Sequence, residues 1–183
     1  MDREAFQVER PGATLRGVRF GAPGGSPVVL LHGGPGMYDY LAESSLAEHL
    51  ARSMRVWSFD QRGCRRSASE GPFTVEAQCG DIEAVCALAA RDSGREEIAI
   101  VGHSAGALYG LHFTARRPRR VSRLVMIGPP GPPGVWQEWR TGWAAEVSAR
   151  IRATPGLSER LAEIERRSAG ARDEAERSSL RLE

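Results

Sequence analysis

Lysine is absent from this chain of 183 residues, and all 25 of its basic side chains are arginines. Acidic residues number 23, so the formal net charge is only +2. A chain this close to neutral has no long-range field that would attract it to nucleic acid or to an anionic membrane surface. We therefore expect no nucleic-acid partner and no membrane partner.

Cysteines and long apolar runs are also scarce. Cys64, Cys79 and Cys86 are an odd number without metal-ligand spacing, which is typical of reduced cytosolic thiols. No run approaches the roughly 18 apolar residues of a membrane span, and no signal-peptide stretch follows the first residues. These absences predict a cytoplasmic protein, and no residue pattern implies a metal or an organic cofactor.

Two glycine-rich stretches follow apolar strands, yet neither contains the G-x-G-x-x-G or Gly-Lys-Ser/Thr patterns that bind dinucleotides and phosphates. The second stretch, Gly102-His103-Ser104-Ala105-Gly106, follows the strand predicted at Glu97–Val101. Gly-x-Ser-x-Gly between a strand and a helix is the nucleophile elbow, a strained turn that lifts the serine hydroxyl clear of the sheet. The pattern predicts that Ser104 is a catalytic nucleophile. The alternative is a glycine-rich turn that happens to contain serine.

The first stretch comes after the apolar run Pro27–Leu31 and reads His32-Gly33-Gly34-Pro35-Gly36. Glycines there let a backbone amide point into a cavity, as an oxyanion hole requires, with a second amide from the residue after the nucleophile. The predicted donors are the amides of Gly34 and Ala105. Residues expected to support the loop are His32, Gly33 and Gly36.

Between these stretches lies Ser58–Ser67, of sequence Ser-Phe-Asp-Gln-Arg-Gly-Cys-Arg-Arg-Ser. The three motifs in series resemble the α/β-hydrolase fold family, in its proline iminopeptidase-like branch, over about residues 14–134. Two positions depart from the family. Its Asp-Gln-Arg-Gly-x-Gly-x-Ser pattern has glycine where this chain has Arg65 or Arg66, depending on register. The peptidase branch usually has tryptophan after the nucleophile, where this chain has Ala105.

The resemblance implies hydrolysis of a small ester or amide. The loop motif favours an N-terminal proline peptide as substrate, while Ala105 leaves an esterase or lactonase equally open. Dehalogenases and epoxide hydrolases of this family use an aspartate nucleophile, so the serine at position 104 argues against them. The expected substrate is a small ester, an amide or a short peptide.

Strand and helix signals alternate along the chain. Helices are predicted at Leu41–Ala51, at Val75–Ala90 and after the elbow. Besides the elbow strand, strands are predicted at Phe6–Glu9, Thr14–Phe20, Val28–Leu31, Arg55–Phe59 and Val121–Ile127. This order specifies an α/β class with a mostly parallel sheet, helices on both faces, and a ligand site beyond the carboxyl ends of the strands. We expect the last strand to be buried and to close this portion of the sheet.

The proline- and glycine-rich segment Gly128–Gly134 interrupts all regular structure and predicts a domain boundary. Residues 1–134 are then the N-terminal part of an α/β-hydrolase core. By resemblance, residues 135–183 are a partial helical cap, or lid, and the chain is an α/β hydrolase truncated after the start of its cap.

A serine nucleophile needs a base, and in this fold the triad order is serine, then aspartate or glutamate, then histidine. The histidines are His32, His49, His103 and His112, and none follows position 112. Asp173 is the only aspartate after Ser104, and it lies in charged helical sequence without a preceding strand. The triad aspartate and histidine are therefore expected to be missing, and the chain alone to be inactive.

Three interpretations remain open at this point. In the first, the chain is the N-terminal portion of a serine hydrolase whose remainder is a separate, complementing C-terminal chain or was lost by truncation or frameshift. In the second it is a non-catalytic hydrolase-like binding protein or pseudoenzyme, and in the third an enzyme with an unusual base such as His32. In the first case the sheet edge at Val121–Ile127 should lead to self-association unless a partner covers it.

Overall fold

The computed structural model describes residues 2–34, 36–131 and 133–170. The chain divides into two compact units between Pro130 and Gly131, inside the segment 128–134. The described part of the second unit is a pair of helices, α4 (Pro133–Ala153) and α5 (Leu157–Gly170). Their role as a lid stays a prediction. None of the helices described has both the length and the apolar character needed to cross a membrane.

The first unit contains a six-stranded sheet with the spatial order β1-β2-β4-β3-β5-β6. β3 pairs in parallel with β4 and β5, and β5 pairs in parallel with β6, whereas β1 and β2 add an antiparallel extension. The strands are β1 (Glu4–Arg10), β2 (Ala13–Gly21), β3 (Ser26–Leu31), β4 (Met54–Asp60), β5 (Ile98–His103) and β6 (Val121–Ile127). The predicted α/β class and mostly parallel sheet are confirmed.

Helices cover both faces of the central strands. The helices of this unit are α1 (Ser45–Ala51), α2 (Val75–Ser93) and α3 (Ala105–Arg116). Val29 and Leu31 of β3 belong to the apolar cluster that includes α2 and α3, whereas Val28 and Leu30 belong to the cluster that includes α1. Successive side chains of a strand point to opposite faces, so a continuous apolar run is what a strand buried on both sides requires.

The predicted helix over Leu41–Ala51 is wrong in its first part. Leu41–Glu43 form a single 3-10 turn, and α1 begins only at Ser45. Ser44 separates the two because its backbone is extended and its hydroxyl accepts a hydrogen bond from the Ala47 amide at 3.2 Å. This is the geometry of a helix N-cap, which serine favours over helix interiors.

The expectation that Val121–Ile127 is buried is also wrong. β6 is an edge strand, and among the described residues only β5 pairs with it. Its side chains Val125, Met126 and Ile127 are 49%, 42% and 38% exposed. An apolar strand whose second edge has no partner is a template for pairing with another strand.

A buried ion pair joins the loop after β4 to α2. Arg62 donates from Nε to Asp81 Oδ2 at 2.7 Å and from Nη2 to Asp81 Oδ1 at 2.6 Å. The two side chains are only 2% and 0% exposed. A third guanidinium nitrogen, Nη1, donates to the Pro72 carbonyl at 2.8 Å. Because both ions are removed from water, these hydrogen bonds, with a longer one from Arg10 Nε to Asp81 Oδ1 at 3.4 Å, replace their solvation.

We expect Arg62→Ala to lower the free energy of unfolding by roughly 3–5 kcal/mol, since it leaves the buried Asp81 carboxylate with only the longer contact from Arg10 Nε at 3.4 Å. Arg116→Ala is the control, because its ion pair with Glu76 is largely exposed, and it should change stability by about 0.5 kcal/mol or less. Urea unfolding of both variants measures the difference. Equal losses would show that the Arg62–Asp81 pair does not hold the loop.

Candidate active site

Ser104 stands at the sharp turn between β5 and α3. Its backbone has φ 52° and ψ −120°, a region that non-glycine residues rarely adopt. The Ser104 amide donates to the Ile127 carbonyl at 2.9 Å, and the Ser104 carbonyl accepts from the Ala107 amide at 3.0 Å. The residue is half-buried. These contacts hold Ser104 in the strained conformation that the Gly-x-Ser-x-Gly pattern predicts.

Both glycines of the elbow are required by close backbone packing. A Cβ on Gly102 would lie 2.6 Å from Ala107 Cα, within the first turn of α3. A Cβ on Gly106 would lie 2.2 Å from the Leu31 carbonyl oxygen and 2.4 Å from that of His32. The start of α3 therefore packs directly on the backbone at the end of β3, which brings the elbow next to the first glycine-rich loop.

The loop passes against the serine at Gly33. A Cβ on Gly33 would lie only 2.8 Å from Ser104 Cβ. The next residue, Gly34, has φ +70°, and its amide has no acceptor among the described residues. The Ala105 amide likewise has none there, as expected for the first turn of a helix. Two unpaired donors thus lie on the two segments that meet at Ser104.

Gly36 lies further along the loop and is exposed, with φ +75°. Its amide hydrogen-bonds the Cys64 sulfur. Burial raises the pKa of the Cys64 thiol, and this hydrogen bond opposes the rise. The thiol therefore stays neutral and unreactive, and its hydrogen bond holds the loop at Gly36.

His32 is fully buried at the start of the same loop. Its Nε2 accepts a hydrogen bond from the Gln61 amide at 3.0 Å. Nδ1 therefore carries the proton and donates to the Gly33 carbonyl at 3.0 Å. The Gln61 side chain in turn donates to the His32 carbonyl at 2.6 Å. With both ring nitrogens engaged, His32 has no nitrogen left to take a proton from Ser104.

Asp60, fully buried, supports the loop from β4. Its Oδ1 accepts from the Asp39 amide at 2.7 Å, and its Oδ2 accepts from Arg66 Nε at 2.5 Å. Its carbonyl accepts from the Ser67 hydroxyl at 2.5 Å. The sequence assigns no role to the Asp-Gln-Arg-Gly motif. In the structure, Asp60 and Gln61 of this motif hydrogen-bond the residues around the glycine-rich loop and hold it in place.

Arg65 resolves the register of this motif. It has φ +37°, and together with Ser104 it is one of two non-glycine residues with positive φ among those described. Arg65 therefore occupies the left-handed position where the family pattern has glycine. Its guanidinium lies 5.3 Å from the centroid of the Tyr38 ring, a cation–π contact.

Tyr40 is a site residue that carries no sequence signal. The Gly33 amide donates to its hydroxyl oxygen at 2.7 Å, and that oxygen lies 2.6 Å from His103 Nδ1. Burial raises the pKa of Tyr40, and the Gly33 amide opposes the rise. The residue lies outside every recognised motif, and only the folded loop brings it to the elbow.

The other candidate triad residues do not meet Ser104. His49 lies on the exposed side of α1 and His112 on the exposed side of α3. Asp173 lies outside the described residues. Within the described ranges, no group of three or more His, Cys, Asp or Glu side chains could hold a metal ion.

Asp39 is a buried carboxyl group behind the loop, only 3% exposed. Oδ1 accepts from the Ser58 hydroxyl at 2.7 Å and from the Ala42 amide at 3.3 Å. Oδ2 is buried without a hydrogen-bond partner in the described part of the chain. Burial raises the pKa of Asp39, the Ser58 hydrogen bond opposes the rise, and the nearby Asp60 charge adds to it.

The strain at Ser104 predicts a difference between two substitutions. Ser104→Gly removes the Cβ that disfavours φ 52°, whereas Ser104→Ala keeps it. We expect the glycine variant to be more stable than the alanine variant by about 1 kcal/mol. Urea unfolding measures the free energy of unfolding of both variants. An alanine variant that is as stable as the glycine variant, or more stable, would mean that the turn is not strained.

Asp39 predicts a pH-dependent stability. Because its folded pKa is raised, its ionisation destabilises the fold as pH rises from the unfolded pKa, about 3.9, through the folded value. Below the unfolded pKa the penalty is absent. Asp39→Asn keeps the acceptor for Ser58 and should therefore stabilise the protein by roughly 1 kcal/mol at neutral pH, with the gain shrinking toward pH 3.

Glu4→Gln is the control of opposite sign. Hydrogen bonds from Arg55 and Arg19 lower the pKa of Glu4, so the glutamate contributes stability at neutral pH that is lost on acidification. The glutamine variant should be less stable than the parent at neutral pH, with the difference fading as pH falls. Thermal unfolding of both variants between pH 3 and pH 7 measures these trends. A gain for Asp39→Asn that does not depend on pH would contradict the assignment.

Known proteins are similar to this chain in fold and, over about two thirds of it, in sequence. Residues 26–164 match the family model of the alpha/beta hydrolase fold. Proline iminopeptidase PfmaB of Pestalotiopsis fici is 33% identical over 123 residues, which cover 66% of this chain and 42% of that protein. The chain spans about two fifths of the length of the curated relatives it matches.

Two solved structures superpose on most of the chain. The proline iminopeptidase-related protein TTHA1809 from Thermus thermophilus has a TM-score of 0.60 and 30% identity, over 70% of this chain and 45% of that one. Epoxide hydrolase VrEH1 from Vigna radiata has a TM-score of 0.60 and 25% identity, over 72% and 41%. With the family model matching well over half of its residues, this chain belongs to the α/β-hydrolase fold family.

Proposed function

We propose that Ser104 is the nucleophile of a serine hydrolase that acts on a small ester or amide. The observation that carries the proposal is the strained turn at Ser104, beside two unpaired amides on Gly34 and Ala105. Strain persists in a fold only where the surroundings enforce it, and it concentrates at functional sites. Unpaired amides beside a nucleophile are the donors that an oxyanion requires.

The reaction follows from this arrangement. Ser104 Oγ forms a bond to the substrate carbonyl carbon, and the displaced electron pair of the carbonyl becomes an oxyanion that accepts from the Gly34 and Ala105 amides. A base takes the hydroxyl proton and returns it to the leaving alcohol or amine as the acyl bond breaks. Water then attacks the acyl-enzyme by the same steps, which releases the acid and restores the serine.

The base and the carboxylate that orients it lie, in our proposal, outside the described residues. Both ring nitrogens of His32 are engaged in hydrogen bonds, which argues against His32 as the base. The matched relatives are more than twice as long as the region they share with this chain, which leaves room for both groups. The open edge of β6 is the surface on which a complementing segment, or a second copy of the chain, would add a strand.

For the substrate, similarity to proline iminopeptidases supports a peptide with N-terminal proline. Ala105 follows the nucleophile in place of the tryptophan usual in that branch, so a simple ester is the second substrate class. The serine at the elbow argues against the epoxide chemistry named for one structural neighbour.

Labelling with a fluorophosphonate probe, followed by intact mass, tests the nucleophile. We expect one probe molecule per chain, attached slowly to Ser104 in the 183-residue protein. Free imidazole should accelerate the labelling by about tenfold or more, because it can serve as the absent general base. Ser104→Ala should remain unlabelled, whereas Ser45→Ala, which removes an exposed serine on α1, should label as the parent does.

Each contrary result has a definite meaning. Labelling that persists in Ser104→Ala would contradict the assignment of the nucleophile. Rapid labelling without imidazole would show that a base already reaches Ser104, and would overturn the placement of the base outside the described residues. No labelling of Ser104 under either condition would favour the non-catalytic binding protein.

A further inference from the structure

The two halves of the proposed oxyanion hole come from segments about 70 residues apart in the chain. One half is the loop with Gly33 and Gly34, and the other is the elbow with Ser104 and Ala105. Among the described residues, a single side-chain hydrogen-bond chain connects them, from the Gly33 amide to Tyr40 and on to His103. This inference rests on the proposed function, since it concerns the same pair of donors.

The Tyr40 hydroxyl makes two hydrogen bonds among the described residues. The oxygen accepts from the Gly33 amide at 2.7 Å. The hydroxyl also shares a hydrogen bond with His103 Nδ1 at 2.6 Å. In this bond the tyrosine donates when His103 carries its proton on Nε2, and accepts when the proton is on Nδ1. In either tautomer this relay connects the Gly33 amide to the residue next to the nucleophile.

This relay has two consequences for the site. The Gly33 amide hydrogen is used in the bond to Tyr40, so among the described residues the Gly34 amide is the loop donor that remains unpaired. It also links the loop to His103, and through the backbone to Ala105, so it sets the spacing between the two free amides. Donors of an oxyanion hole act at about 2.7–3.1 Å from the developing charge, so a displacement of a few tenths of an ångström weakens the hydrogen bond.

We propose that Tyr40 is a positioning residue of the oxyanion hole, whose hydroxyl holds the Gly33–Gly34 loop at a set distance from the elbow through His103. It does not touch the substrate in this role. Its effect appears in the chemical step rather than in substrate binding, because a displaced donor weakens the interaction with the oxyanion more than with the ground state.

Tyr40→Phe tests the link, since it removes only the hydroxyl. Tyr38→Phe is the matched control. The Tyr38 ring packs edge-to-face on Tyr40 at 6.1 Å between centroids, and its hydroxyl has no hydrogen bond in the described residues. In the nitrogen-15-labelled 183-residue chain, Tyr40→Phe should speed hydrogen exchange at Gly33 about tenfold or more. It should also move the Nδ1 resonance of His103 and the amide resonances of Gly34 and Ala105. Tyr38→Phe should change none of these.

The fluorophosphonate reaction gives the kinetic readout. With imidazole present, Tyr40→Phe should lower the maximal labelling rate of Ser104 by about tenfold to a hundredfold. The probe concentration for half-maximal rate should stay unchanged. His103→Ala breaks the same link, so the double variant should be no slower than the slower of the two single variants.

The outcomes separate this inference from the proposed function. Unchanged Gly33 exchange and His103 resonance in Tyr40→Phe would overturn the link, whatever Ser104 does. Changed resonances with an unchanged labelling rate would overturn the positioning role while leaving Ser104 a nucleophile. If Ser104 is unlabelled even in the parent, the proposed hydrolase fails. The positioning role is then decided by whether the Gly34 and Ala105 amides shift.

Discussion

The contact between two backbones at Gly106 is the constraint on which the site depends. The start of α3 lies so close to the carbonyls of Leu31 and His32 that no side chain larger than hydrogen fits between them. This contact lets the strained turn at Ser104 face the glycine-rich loop, with Gly33 passing directly against the serine. Any residue with a Cβ at position 106 would push helix and strand apart, and the elbow would no longer lie against the glycine-rich loop.

A buried polar layer then holds the loop in place. The Gln61 amide and side chain bind His32, Asp60 binds the Asp39 amide, and Arg62 ties the same segment to α2. Such a layer replaces the packed apolar side chains that a glycine-rich loop cannot supply. The layer also contains a destabilising group, because one carboxylate oxygen of Asp39 is buried without a partner in the described part of the chain. The polar layer therefore makes the loop rigid but lowers the stability of the fold beneath the site.

In the proposed function, the described residues form the half of a hydrolytic site that receives negative charge. The proposed nucleophile and oxyanion donors lie on the elbow and the loop, at the carboxyl ends of β5 and β3, whereas both ring nitrogens of His32 and Nδ1 of His103 are engaged in hydrogen bonds. In a site of this kind, removing the base leaves only the weaker contribution of binding and oxyanion stabilisation. In the same proposal, the exposed apolar edge of β6 is where a complementing strand would pair.

Local patterns in the sequence determined the order of strands and helices, the parallel sheet and the elbow at Ser104. Those features depend on side-chain periodicity and on glycine at turns, which operate over a few residues. Tertiary structure alone decided that both ring nitrogens of His32 hydrogen-bond within the loop region, that Tyr40 meets His103, and that β6 is exposed. Each of these depends on contacts between residues far apart in the chain or on which strands are neighbours, and no local pattern encodes either.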